Sequence, residues 1–248
     1  MIFTQYLLFF GLVALATFCQ NLTGFAFGLI FVGLAGATQL MPIADAANVA
    51  CLLSLVNGVA YLRNHPFSPQ WPLLKPMLAS SVLGVLGGLV LLSWLSGHAL
   101  NGLRILLGLA IAGCAVALLA QKQVRAQMSG PASLWSAGLL SGLLGGLFAT
   151  PGPPMVYHLY RQPLERLLVR QCLFVMFITC NLLRLGVVVG TGGLRWESVL
   201  VSAAAFPVVT LVTWLHARHP PTLPKRLVEW LVCLLLMLAG ASMLVSAL

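Results

Sequence analysis

Apolar runs, most of them near 20 residues long, fill almost the whole chain between short polar or proline-rich breaks. They fall at 2–19, 25–41, 43–62, 72–95, 99–120, 132–147, 153–160, 164–190, 197–215 and 223–247. A helix of about 20 apolar residues crosses a hydrocarbon core of about 30 Å. Only 7% of the 248 residues are charged, against about 25% in a soluble domain. Such a chain cannot cover a water-facing surface, which excludes a soluble enzyme, a nucleic-acid reader and a disordered tail. The formal charge of +9 comes from 13 Lys and Arg against 4 Asp and Glu. These basic residues stand singly between apolar runs, a pattern of membrane orientation rather than of nucleic-acid binding.

The N-terminal run has the length of a signal peptide but no basic leader, so it reads as a retained first membrane segment. Cys19, Cys51, Cys114, Cys172, Cys180 and Cys233 all lie inside apolar runs without a C-x-x-C pair, and read as small packing residues.

The second half repeats the first in outline. With an offset of 121, Gly24 meets Gly145, Pro42 meets Pro163, Cys51 meets Cys172 and Arg63 meets Arg184. After a small gap, Trp71 meets Trp196 and Arg104 meets Arg226. The expected organisation is a first transmembrane repeat over 1–122, a cytoplasmic linker over 123–131 and a second repeat over 132–248. Within the second repeat, Thr150-Pro151-Gly152-Pro153-Pro154 cannot be helix interior, because proline lacks an N–H and clashes with the preceding turn. The eight residues that follow span about 12 Å, too little to recross the core. The region 132–160 is therefore expected to be a re-entrant hairpin, and 2–41 its counterpart, with a turn near Asn21–Gly28.

Charge counting supports this. With each hairpin entering and leaving on one side, ten basic residues collect on one face (Arg63, Lys75, Lys122, Arg125, Arg161, Arg166, Arg170, Arg218, Lys225, Arg226) and three on the other (Arg104, Arg184, Arg195). With each hairpin as a single crossing, the tally is six against seven. The positive-inside rule selects the first arrangement. It predicts an all-α membrane protein, an inverted repeat of two halves, each a broken hairpin followed by three transmembrane helices, with both termini periplasmic.

Two symmetric breaks at membrane depth are the strongest pointers to a site, since irregular backbone there must be buried in protein or line a wet cavity. They are Gln20–Gly28 and Phe148–Pro154. Helix N-termini opening at such breaks present N–H donors and a positive dipole end, which suits a small anion. Gly24-xxx-Gly28, Gly84-xxx-Gly88 and Gly142-xxx-Gly146 also read as helix-packing motifs. On 164–190, Arg170, Asn181 and Arg184 lie within about 40° of one another around a helix, one polar stripe on an apolar surface. A charge deep in a bilayer costs roughly 2.5–3.5 kcal/mol; the two arginines either contact an anion path or snorkel to opposite interfaces. Asp45 suits a helical first turn. Glu165, Glu197 and Glu229 neighbour basic residues, and His158 stands alone on the short piece after the turn. No Walker, H-E-x-x-H, G-x-S-x-G or G-x-G-x-x-G pattern occurs, and no metal-ligand cluster.

Thr23-Gly24-Phe25-Ala26-Phe27-Gly28, followed by Pro42 and Asp45-Ala46, resembles the first signature of the TauE/SafE sulfite exporter family. Gly142-Leu143-Leu144-Gly145-Gly146-Leu147-Phe148, then Gly152-Pro153-Pro154 and Tyr157, resembles its second, and Arg170, Asn181 and Arg184 fall where the family shows an Arg and an Asn in the next helix. Ala26 stands where a glycine is common, and Pro151 makes the second turn unusually proline-rich. The resemblance implies a transporter, not an enzyme, that moves sulfite or organosulfonate anions across the bacterial inner membrane without a cofactor or metal. The site it implies lies between the two breaks. Asn21, Thr23, Thr150 and backbone N–H groups of the turns that hold Gly24, Gly152 and Pro153 are expected to bind oxyanion oxygens; Phe25, Phe27, Phe148 and Tyr157 to shape the pocket; Arg170, Asn181 and Arg184 to supply field and hydrogen bonds. The expected partners are the anion and the lipid bilayer, with a homodimer left open. An anion channel, or a membrane enzyme or assembly subunit, are the alternatives.

Overall fold

The computed structural model describes residues 3–63, 70–119, 127–219 and 225–245. They form ten helices, with no strand among the described residues. In chain order these are α1 (Phe3–Thr23), α2 (Phe27–Ala37), α3 (Ile43–Arg63), α4 (Trp71–His98), α5 (Leu100–Leu119), α6 (Pro131–Phe148), α7 (Pro153–Tyr160), α8 (Arg166–Gly190), α9 (Trp196–Arg218) and α10 (Lys225–Val245). A long helix, a short helix and three long helices thus occur twice in the same order. Helix α7 coincides with the isolated apolar piece at 153–160. Lys122 at the end of the expected first repeat, Arg125 of the expected linker, and the prolines at 220, 221 and 224 lie outside the described residues.

Six helices, α1, α3, α4, α6, α8 and α9, are long and apolar enough to cross a membrane. Leu7, Leu83, Val90, Leu109 and Leu211 stand exposed on the outside, an arrangement that lipid favours and water does not. Trp71, Trp94, Trp196 and Trp214 are exposed near helix ends, the level of an interfacial aromatic belt. The protein is a multi-pass membrane protein. Pro72 and Pro131 sit in first turns, where no helical hydrogen bond is lost. Pro76 and Pro207 lie inside α4 and α9, a position that membrane helices tolerate when neighbouring groups satisfy the freed carbonyl.

Each long–short pair folds back on itself. Phe9 of α1 meets Phe31 of α2 edge to face, with ring centroids 5.7 Å apart. Tyr6 lines one cleft together with Leu40, Met41, Pro42, Asp45 and Arg195. In the second pair, the Ser129 N–H donates to Gln162 Oε1 at 3.0 Å, and Gln162 Nε2 donates to Ser129 Oγ at 2.8 Å. The first hairpin therefore begins and ends beside Asp45, and the second beside Gln162. Helix α8 runs between these two ends: it starts just after Gln162, and past its far end the Gly193 carbonyl accepts from Asn48 Nδ2 in α3. The hairpins are lopsided, since α1 spans about 30 Å and α2 about half that.

Helices α4 and α6 pack backbone to backbone. A Cβ on Gly84 would lie 2.2 Å from the Leu139 carbonyl oxygen, and one on Gly142 would lie 2.3 Å from that of Ser81. Gly88 and Gly146 are equally tight, so these two glycine pairs serve close helix contact. The third pair does not. Gly24 lies in the break and Gly28 opens a new helix, so Gly24-xxx-Gly28 is no helix motif here. The residue matches of the repeat also loosen: Arg63 ends α3, whereas Arg184 lies inside α8. Contacts between the halves come in exchanged pairs: α4 on α6 and α9 on α1, α5 on α7 and α10 on α2, α3 on α9 and α8 on α4. Helix α3 packs on α8, and α5 on α10. All six cysteines are free and buried.

Candidate functional site

The first break turns at Gly24 and Ala26, both left-handed at φ 79° and 83°. Gly24 needs its missing side chain twice over, because a Cβ would also meet Arg170 Cγ at 3.2 Å. The Thr23 hydroxyl is consumed locally. It lies 2.7 Å from the Cys19 carbonyl and 2.9 Å from the Phe25 carbonyl, and it accepts the Phe25 N–H at 3.3 Å. The first is the back-bond of a helical threonine to the carbonyl four residues earlier, and the other two hold the turn that follows α1.

The second break turns at Ala149, left-handed at φ 55°. Pro151 then packs against Gly145, where a Cβ would lie 3.4 Å from Pro151 Cβ. Pro153 and Pro154 open α7 and remove two N–H groups, so Met155 is the first helical donor there. Thr150 is fully buried and its Oγ1 has no hydrogen-bond partner.

The two breaks meet. A Cβ on Gly28 would lie 2.8 Å from Thr150 Cβ and 3.1 Å from the Ala149 carbonyl oxygen. Tyr160 Oη also donates to the Thr23 carbonyl at 2.7 Å. Phe25, Phe27 and Phe148 are buried around the meeting point, and Phe27 stacks on Phe31. Gly152 is buried with Thr150 Oγ1 within 3.4 Å of where its Cβ would be. Tyr157 lies further along α7, where its hydroxyl accepts from Arg161 Nη1 and its ring lies under the guanidinium.

The polar stripe on α8 divides. Arg170 is half-buried, stands against Gly24 and reaches the hydroxyls of Tyr61 and Tyr160. Asn181 is fully buried, and neither atom of its amide has a hydrogen-bond partner. Arg184 is 1% exposed, the largest fully buried side chain among the described residues. Its Nε donates to the Gly146 carbonyl at 3.1 Å and its Nη1 to Asn48 Oδ1 at 2.9 Å, while Nη2 has no partner. Arg184 does not snorkel, and neither of its acceptors is charged.

A buried network absent from the sequence reading ties α1 to α3 and α9. Gln20 Nε2 donates to Ser54 Oγ at 3.2 Å, and Asn57 Nδ2 donates to Gln20 Oε1 at 2.8 Å. Thr213 Oγ1 donates to Asn57 Oδ1 at 2.5 Å and accepts from Asn21 Nδ2 at 3.2 Å, leaving Asn21 Oδ1 unpaired. Uncharged amides in mid-span carry the same desolvation argument as charges, and Asn48 and Asn57 were legible on that ground.

Residues 8–243 match the family described as Sulfite exporter TauE/SafE. A protein of Cupriavidus necator named "Probable sulfite/organosulfonate exporter TauE" is 29% identical over 237 residues, covering 96% of this chain and 93% of its own. No solved structure matches the chain. With the two signature segments folded into adjoining breaks and the family match running almost end to end, the chain belongs to the sulfite exporter TauE/SafE family.

Proposed function

We propose that the protein exports sulfite or organosulfonate anions across the inner membrane as a secondary transporter, holding the anion between the two hairpin tips. The observation that carries this reading is Arg184. A guanidinium enclosed in protein, with an unused donor and no carboxylate among its hydrogen-bond partners, is a seat for an anion. The unpaired Thr150 hydroxyl and Asn181 amide add donors to the interior. In the tips, the start of α2 lies against the second break at Gly28, and the first turn of a helix carries N–H groups without intrahelical partners, which suit an anion. Thr23 holds the turn rather than the anion, because its hydroxyl is already bonded to the backbone.

The opposed hairpins and the exchanged helix contacts support an inverted repeat, the architecture on which alternating access operates by moving one half or one hairpin pair against the other. Arg161, Arg166 and Arg170 lie towards the Gln162 end, which makes that end cytoplasmic and the Asp45 end periplasmic. An inside-negative potential then drives an anion outward, by roughly 2.3 kcal/mol per charge per 100 mV.

The test is flux. Purified protein in liposomes loaded with radiolabelled sulfite or ethanesulfonate is expected to release it in a saturable, trans-stimulated manner. Unitary conductance would make it a channel, and no release of any organosulfur anion by correctly inserted protein would end the transport reading. Reporter fusions at residue 126 and at the C-terminus are expected on opposite sides.

A further inference from the structure

Arg184 also lines a cleft of about 370 Å³ between α4, α8 and the start of α3, within the size range of small-molecule sites, roughly 300–1,000 Å³. Its polar seat is Arg184 with Asn48, both buried. Its walls are Leu89, Leu92, Val187 and Val188. Exposed Ser93, Ser96 and Thr191 surround the mouth on the Asp45 side of the molecule. The cleft thus joins one unsatisfied cationic donor to an apolar wall. Neither feature needs the other for folding, and a ligand with a charged head and an apolar body needs both.

We propose that this cleft is a second station for the transported anion, on the Asp45 side of the tips and sharing Arg184 Nη2 with the tip site, so that one anion occupies one or the other, and that it selects oxyanions carrying a short apolar substituent. The head accepts from Arg184 Nη2, and the substituent lies on Leu89, Leu92, Val187 and Val188. An inorganic oxyanion fills only the head position. Each methylene laid against the wall adds about fourfold in affinity. A membrane phospholipid fits less well, because Arg184 lies about 9 Å along α8 from Gly190, below the level of the headgroups. The station rests on the transport function proposed above.

The test is a calorimetric titration of the intact protein, in phosphatidylcholine nanodiscs, with methane-, ethane-, propane- and butanesulfonate. Affinity is expected to rise about fourfold per methylene. Val187→Phe fills the cleft and flattens the series, and Val187→Met, a milder filling, flattens it in part. Leu200→Phe, on the outside of α9, keeps the gradient. Asn48→Asp sets a carboxylate on Arg184 and weakens every member at least tenfold. A flat wild-type series, or a gradient that both Val187 variants leave intact, overturns the station. Loss of sulfonate binding when phosphatidylglycerol is added to the discs assigns the cleft to lipid and also overturns it. Liposome flux separates the two readings: flux with a flat series keeps transport and removes the station, whereas a gradient without flux removes transport and leaves the cleft as a binding site.

Discussion

A Cβ on Gly28 would stand 2.8 Å from Thr150 Cβ, so the start of α2 and the turn before α7 are in contact with no room for a methyl group. The first prediction follows directly. Gly28→Ala is expected to force the tips apart, with an overpacking cost of about 1–3 kcal/mol, and to reduce flux more than tenfold. Thr150→Gly in the same chain removes the clashing atom and is expected to restore most of the melting temperature. Melting and flux of the single and double variants measure the coupling, and strictly additive effects would contradict the contact.

Arg184 divides its fork between the Gly146 carbonyl and Asn48 Oδ1. Arg184→Lys keeps the charge but cannot serve both acceptors and an anion together. Saturable flux is expected to persist with KM raised at least tenfold. Asn48→Ala leaves Nη1 without its partner and is expected to cost about 1–3 kcal/mol of stability. Unchanged KM in Arg184→Lys would remove the guanidinium from substrate contact.

Ala26 and Gly24 share the left-handed region, at φ 83° and 79°, but only Gly24 is suited to it. Ala26→Gly is expected to stabilise by about 1 kcal/mol through relief of that conformation. Gly24→Ala is expected to destabilise by about 1–2 kcal/mol from conformation alone, with the contact to Arg170 adding to this. Melting shifts of opposite sign are the readout.

Asn57 joins Gln20 to Thr213 in the buried network. Asn57→Ala is expected to cost about 1–3 kcal/mol by orphaning the Gln20 oxygen, whereas Asp45→Asn, which removes the ion pair of Asp45 with the exposed Arg195, is expected to cost under about 1 kcal/mol. Thermal melting of the two variants side by side checks the ranking.

The helical class, the membrane setting and the two breaks were legible in the chain itself. Uncharged runs near 20 residues admit little else in a bilayer, and a Thr-Pro-Gly-Pro-Pro stretch cannot continue a helix. The breaks are local consequences of backbone chemistry, so they need no knowledge of neighbours. The fate of each polar side chain was not local. Snorkelling and anion contact look alike from Arg184's place in the sequence, and only the packing of α6 and α3 around it decides that the guanidinium is enclosed. The Gly24 and Gly28 pair looked like a helix-packing motif until the turn between them placed one on Arg170 and the other on Thr150. Likewise, Gln20, Asn57 and Thr213 are far apart in the chain and become one network only because α1, α3 and α9 converge. Solvent preference and backbone geometry can be read along one dimension. Which donors are left unpaired depends on what three or four helices bring to the same point, and that is settled only when they pack.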